Sequence, residues 1–228
     1  MYEPVWGAGR ALSSYTTKLA VIANNLANVS TPGFIPHRAV FEEMLAELRA
    51  RPPGFLVATG SSLDPTLRAP GLQGAMVPTG RRWDLALSGP GYFVVQMADG
   101  RMAYTRSGAF AVDAQRRLVG PQGSVVMREG NVPLDPQAGD VPAIRAFANL
   151  AGLYHLGHGL YAATEASGPP LPAPPGTRVL AGHLESSTVD LATEMAAMLT
   201  AQRAFQLASR GLDIHDQMLG LANRLRGG

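Results

Sequence analysis

The sequence predicts an α+β fold in which long N- and C-terminal helices of coiled-coil type pair with each other and enclose a small, mostly antiparallel β-domain. Three observations predict it. Proline and glycine supply 18 and 26 of the 228 residues, above the roughly 12% that ordinary chains carry. They are also unevenly placed, since every proline except Pro4 lies between Pro32 and Pro175. Second, both ends place apolar residues at alternating steps of three and four, the mark of a helix with a narrow seam. Third, the middle alternates short apolar runs with glycine-bearing turns, as antiparallel strands do.

The elements follow in order. Val5, Ala8, Leu12, Tyr15, Leu19, Ile22, Leu26 and Val29 form an a/d stripe that predicts a helix over 5–29, about 37 Å long. Pro32 ends it, because proline disfavours the α conformation at the preceding Thr31. Pro32-Gly33 suits the central positions of a type II turn. Ala39, Phe41, Met44, Leu45 and Leu48 predict a shorter helical patch over 38–49. Residues 51–80 carry five prolines and five glycines and read as an extended linker with one short strand. Strands are expected at 84–87, 92–97, 101–105, 109–112, 117–119 and 124–127, with Ala98-Asp99-Gly100 as a hairpin turn. Residues 128–142 read as loop, 143–164 as one or two strands, and 168–176 as a stiff polyproline-like linker or edge loop. A last strand covers 179–184. A C-terminal helix follows, with Ser186, Ser187 or Thr188 as its cap. Its stripe is Leu191, Glu194, Met198, Ala201, Phe205, Ala208, Leu212, His215, Leu219 and Ala222. The expected organisation is a helical segment with a motif loop (1–50), a linker region (51–82), a β-domain (83–182) and a C-terminal helix (183–228) pairing with 5–29.

Composition excludes several classes. Cysteine is absent, which removes disulfides, thiol catalysis and Cys-ligated metals. The net charge is +2, and no face or tail collects it, so no nucleic-acid footprint is expected. No apolar run approaches the ~20 residues of a membrane span. Met1-Tyr2-Glu3-Pro4 has neither a basic nor an apolar leader region, so no cleavable secretory signal is expected.

Candidate chemistry is sparse. Gly89-Pro90-Gly91 lacks the third glycine and following helix of a dinucleotide loop and reads as a turn between strands. His155 and His158 have no nearby carboxylate, and Gly157 and Gly159 oppose a helix there, so strand or loop histidines are expected rather than a metal site. His215 reads as an interface histidine. Asp84, Asp99 and Asp113 sit where turns favour aspartate. No catalytic, metal or cofactor-binding residue is assigned, no cofactor is expected, and the chain reads as a non-enzyme. The heptads carry the strongest signal. Within the helix pair, Trp6, Val21, Met195, Leu199 and Met218 fall off the seam and need further cover.

Four ordered blocks resemble one family. Ala23-Asn24-Asn25-Leu26-Ala27-Asn28-Val29-Ser30-Thr31-Pro32-Gly33-Phe34 is similar to the N-terminal signature of bacterial flagellar rod and hook proteins. Asp84 to Val95, Tyr104 to Asp113 with Leu118-Val119, and Glu185 to Asp190 with Ala201 to Phe205 and Asp216 to Leu219 are similar to its β-region and C-terminal helix. The resemblance implies an axial basal-body subunit, closer to the rod than to the hook. Its terminal helices would form an inner coiled-coil tube, and its β-domain the outer layer. It implies self-polymerisation, neighbouring rod and hook subunits, unfolded passage through the flagellar type III export apparatus, and an extracytoplasmic place in the periplasm or cell-wall space. The expected seam is Leu12, Tyr15, Leu19, Ile22 and Leu26 with Met198, Phe205, Leu212 and Leu219. The motif residues are Asn24, Asn25, Asn28, Pro32, Gly33 and Phe34, the asparagines fixing helix ends or neighbouring subunits. Between Met127 and Ala143 the chain lacks about a pair of strands usual in the family, so a reduced β-domain is expected. A secreted glycan-binding or glycan-hydrolysing β-module on a helical stalk is the alternative, and it requires a cleft with paired carboxylates.

Overall fold

The computed structural model of the chain describes residues 3–43, 61–67 and 73–226. The class is α+β, with an N-terminal helix α1 (Glu3–Ala27), a C-terminal helix α2 (Leu191–Arg226) and strands between them. The chain divides into two compact units. A helical unit holds residues 1–26, 37–66 and 191–228, and a β-unit holds 27–36 and 67–190.

In the helical unit, α1 stops at Ala27, two residues before the predicted end. The expected helical patch is corrected. Residues His37–Glu43 form strand β1, paired with β2 (Ser61–Leu67). Local apolar spacing suited a helix, but a partner strand over twenty residues away decides the conformation, as tertiary pairing routinely does. Residues 44–49 of that patch lie outside the described residues, as does the rest of the predicted linker apart from β2 and 73–80. Helix α2 has 36 residues, about 54 Å at the helical rise.

The β-unit contains β3 (Met76–Pro78), β4 (Leu85–Ser88), β5 (Tyr92–Gln96), β6 (Met102–Thr105), β7 (Ala111–Val112), β8 (Leu118–Val119), β9 (Val125–Arg128), β10 (Val132–Pro133), β11 (Ile144–Ala146), β12 (Tyr154–Gly157), β13 (Leu160–Ala162), β14 (Leu171–Pro172), β15 (Arg178–Ala181) and β16 (His183–Glu185). Among the described residues ten strands form one sheet in the order β12-β13-β6-β5-β9-β8-β7, with β10 on β9 and β11 joining β5 to β14. Every described pairing in it is antiparallel. Two expected loops therefore carry short edge strands: β10 lies within 128–142, and β14 within 168–176. The predicted last strand is two strands, β15 on β4 and β16 on β3, interrupted at Gly182.

Strand β5 shows why this unit holds together. Its period-two alternation sends Tyr92 and Val94 into one buried cluster with Tyr104, Met127, Phe147 and Tyr161. Phe93 and Val95 enter a second cluster with Leu87, Phe110, Leu118 and Val126. Phe93 meets Phe110 edge-on, with ring centres 5.3 Å apart. Tyr92 meets Phe147 and Tyr161 in the same manner. Such pairs add to the area term. Burial pushes the Tyr92 phenol up to about 12, with Arg106 opposing and Glu185 adding to the shift. Gly108 is required by packing, because a Cβ there would lie 1.5 Å from the Leu85 carbonyl oxygen.

Candidate functional site

The N-terminal motif does its work in two places. In the last turn of α1, Asn25 is 1% exposed. Its Nδ2 donates to the carbonyl oxygen of His37 at 2.8 Å. Its Oδ1 accepts from the His37 backbone N–H at 2.9 Å. The carboxamide thus replaces a neighbouring peptide and satisfies both backbone groups of the first β1 residue. A side chain with one donor and one acceptor in that plane is needed, which excludes Asp and Leu. Asn28 acts locally, accepting at its carbonyl oxygen from Thr31 N–H and at Oδ1 from Thr31 Oγ1, both at 3.1 Å. The Asn24 side chain is exposed.

Further along, Phe34 N–H donates to Thr31 O at 3.3 Å across Pro32-Gly33, and Gly33 has φ +68. Both features are those of the predicted turn. The positive φ favours glycine, and so does space. A Cβ at Gly33 would lie 2.6 Å from the Arg106 carbonyl carbon and oxygen.

The motif meets two other blocks here, within the β-unit. Gly33 N–H donates to the Glu185 carbonyl oxygen at 2.8 Å, and Thr188 N–H to Phe34 O at 3.1 Å. Arg106 Nε donates to Glu185 Oε2 at 2.5 Å. The side chains of this ion pair are 8% and 3% exposed. The other guanidinium nitrogens donate to Gly91 O at 2.6 Å and Leu87 O at 3.1 Å. Glu185 Oε1 accepts from Gly74 N–H at 2.8 Å. Burying two charges costs several kcal/mol each, offset only when good geometry is joined by further hydrogen bonds, and here each side-chain nitrogen of Arg106 and each carboxylate oxygen of Glu185 has a partner. Sequence reading placed Arg106 and Glu185 in the matching blocks without a role. Charges 79 residues apart carry no spacing signal.

The expected capping serines are also corrected. Helix α2 begins at Leu191, after Asp190. Ser186 N–H is bound to Ala75 O, Ser187 Oγ accepts from Val189 N–H, and Thr188 Oγ1 donates to Phe34 O. These residues hold the approach to the helix rather than its first turn.

Of the expected seam, Ile22 is buried. Leu12, Tyr15, Leu19, Leu26, Met198, Phe205 and Leu212 are half-buried, and the Leu219 and His215 side chains lie outside the described residues. Glu194 and Ala201 of the same stripe are buried. Met195, Leu199, Leu207, Ile214 and Met218 are 52–68% exposed. At about 100° per residue these five fall within about 140° of arc, facing away from Glu194, Ala201 and Phe205. Leu207 and Ile214 belong to this second face although the heptad reading passed over them.

A groove of about 210 Å³ in the β-unit is lined by Val29, Pro32, Val77, Leu184 and Glu185 among others. Glu185 is its one acid and is committed to Arg106. His155 and His158 sit on the β12–β13 hairpin. Burial, reinforced by His158, pushes the His155 imidazole below its ordinary value. No helix among the described residues is long and apolar enough to cross a membrane.

Two terminal helices, the C-terminal one with large apolar side chains exposed, flank a self-contained antiparallel unit, and this α+β arrangement is accompanied by matches to one class of structural protein. Residues 8–34 match the family Flagella basal body rod protein, 86–143 the Flagellar hook protein FlgE/F/G D1 domain, and 180–225 the Flagellar basal body rod FlgEFG protein C-terminal. The chain belongs to the flagellar basal-body rod protein family. It is 33% identical to the flagellar basal-body rod protein FlgG of Buchnera aphidicola subsp. Schizaphis graminum, covering 99% of this chain and all of the relative. It is likewise 33% identical to FlgG of Borreliella burgdorferi, covering 99% of each chain. The flagellar basal-body rod protein FlgF of Escherichia coli is 32% identical over 99% of this chain and 98% of its own. The first of these alignments runs over 267 positions against the 228 residues present, so roughly forty of its positions face a gap in this chain.

Proposed function

We propose that the chain is a non-enzymatic structural subunit of the flagellar rod, polymerising through its terminal helices into the shaft that carries torque to hook and filament. The observation that carries this reading is the second apolar face of α2. Five large side chains on one side of a 36-residue helix would each contribute roughly 1.5–3 kcal/mol on burial. Opposite them, the seam residues Leu12, Tyr15, Leu19, Ile22 and Leu26 would pair with Met198, Phe205, Leu212 and Leu219. One face then serves the subunit's own helix pair and the other serves neighbouring copies. The family names of the relatives support the same role. Passage through the flagellar export apparatus, an extracytoplasmic position, and an outer layer built from the β-domain belong to this proposal. The glycan-module alternative is not favoured, since the groove offers a single, already paired carboxylate.

The test is electron microscopy of concentrated protein beside the Leu207→Asp/Ile214→Asp variant. Filaments or tubes from the wild type, absent from the variant, are expected. Filaments of normal length from the variant would sink the assignment of that face.

A further inference from the structure

Five segments of the β-unit come together at the Arg106–Glu185 ion pair. Glu185 is the last residue of β16, and its carboxylate holds Gly74 N–H and Arg106. Arg106 reaches the carbonyl oxygens of Leu87 and Gly91, on either side of the turn between β4 and β5. Gln73 closes the same turn, donating to Leu87 O at 2.8 Å and accepting from Gly89 N–H at 3.2 Å. The Arg106 backbone packs on Gly33, whose N–H is bound to Glu185 O. Phe34 O then accepts from both the N–H and the hydroxyl of Thr188. Residues 33–34 continue from α1, and residues 185–188 lead to α2.

We infer that the Arg106–Glu185 pair is a positioning device for assembly, fixing side by side the two points at which the chain joins the β-unit from α1 and leaves it for α2. The physical case has three parts. The pair is buried and multiply hydrogen-bonded, so it has one geometry rather than the many open to a surface pair. It adds no side chain to either apolar cluster and touches the second through the Leu87 carbonyl oxygen, so a change at the pair leaves the apolar side-chain contacts themselves in place. It also grips 33–34 and 185–188 through their backbones, which fixes the course of the chain whatever the side chains beyond. A polymer built from helical ends needs every copy to send both ends out from the same place, because a subunit with loose exits loses more conformational entropy on joining. This inference rests on the assembly proposed above.

The test uses the full chain. In Glu185→Gln, hydrogen exchange at Gly33, Gly74 and Thr188 is expected to speed up at least tenfold, while Val94, Val95 and Val126 in the core exchange as in the wild type. Assembly by electron microscopy is expected to fall at least tenfold. Arg106→Lys keeps the charge but cannot reach Glu185, Leu87 and Gly91 together, and it is expected to give the same pattern more weakly. Unchanged exchange at the three junction amides would overturn the inference. So would loosened amides with normal assembly. If both variants lose core protection, the pair is holding the unit together and is not a positioning device, which also overturns it. A wild-type chain that never assembles would instead overturn the proposed function, whatever the exchange pattern.

Discussion

The β-unit and the helical unit bury their apolar residues in opposite ways. In the β-unit, Phe93, Val95, Phe110 and Val126 are fully enclosed in one apolar cluster, Met127 and Tyr161 are enclosed in the other, and the buried Arg106 and Glu185 satisfy each other. In α2, only Glu194 and Ala201 are buried among the described residues, and five large apolar side chains face outward. The first pattern is that of a domain finished by its own chain. The second leaves large apolar side chains in water, interspersed with Arg203, Gln206 and Arg210, and under the proposed assembly neighbouring subunits would cover them.

The strongest way to break this contrast is hydrogen exchange on the dilute full chain. The Val95 and Val126 amides should be protected at least ~100-fold more than those of Leu207 and Ile214, because helices depend on packing for their stability. Equal protection would show that α2 is complete without partners. Truncation tests the same difference. Phe93→Ala should cost about 3–5 kcal/mol in denaturant unfolding of the β-unit. Leu207→Ala under the same conditions should stay within about 0.5 kcal/mol.

Asn25→Ala is expected to cost about 1–3 kcal/mol by stranding the buried backbone groups of His37. Thermal unfolding and exchange at the His37 amide would report it, and an unchanged His37 amide would mean that β1 does not depend on the clamp.

The smallest effect should come from the surface of the β-unit. Arg145 donates two hydrogen bonds of 2.7 Å to Glu129 and holds its carboxyl below the ordinary 4.5. A lowered carboxyl value stabilises above the unfolded-state value, and that contribution disappears as pH falls below 4.5. The Glu129 side chain is 70% exposed, so screening keeps the effect under about 1 kcal/mol. Glu129→Gln should be slightly less stable than the wild type at pH 7, with the difference shrinking as pH falls below 4.5. A difference that does not shrink would mean that Glu129 acts through something other than charge.

Much of this arrangement was legible before folding was considered. The stripes from Leu12 to Leu26 and from Met198 to Leu212 mark helices because the three-and-four step is a local geometric fact. The alternation in Tyr92-Phe93-Val94-Val95 marks a two-sided buried strand for the same reason. The Pro32-Gly33 turn was legible because each residue's φ preference is its own. The segment 37–43 was misread because its apolar spacing is compatible with a helix, whereas its strand state depends on β2 and on the Asn25 amide. The short strands at 132–133 and 171–172 were read as loop because two residues carry no period.

The sequence by itself determined the class, the two helices, the strand-rich centre and the family, since all of these rest on periodicity and on motifs that are contiguous in the chain. The tertiary structure alone decided which backbone Asn25 would satisfy. It also decided that Arg106 and Glu185 would meet, and which face of α2 would be left uncovered. Each of those depends on groups far apart in sequence arriving within hydrogen-bond distance, or failing to be covered, and no local pattern records that.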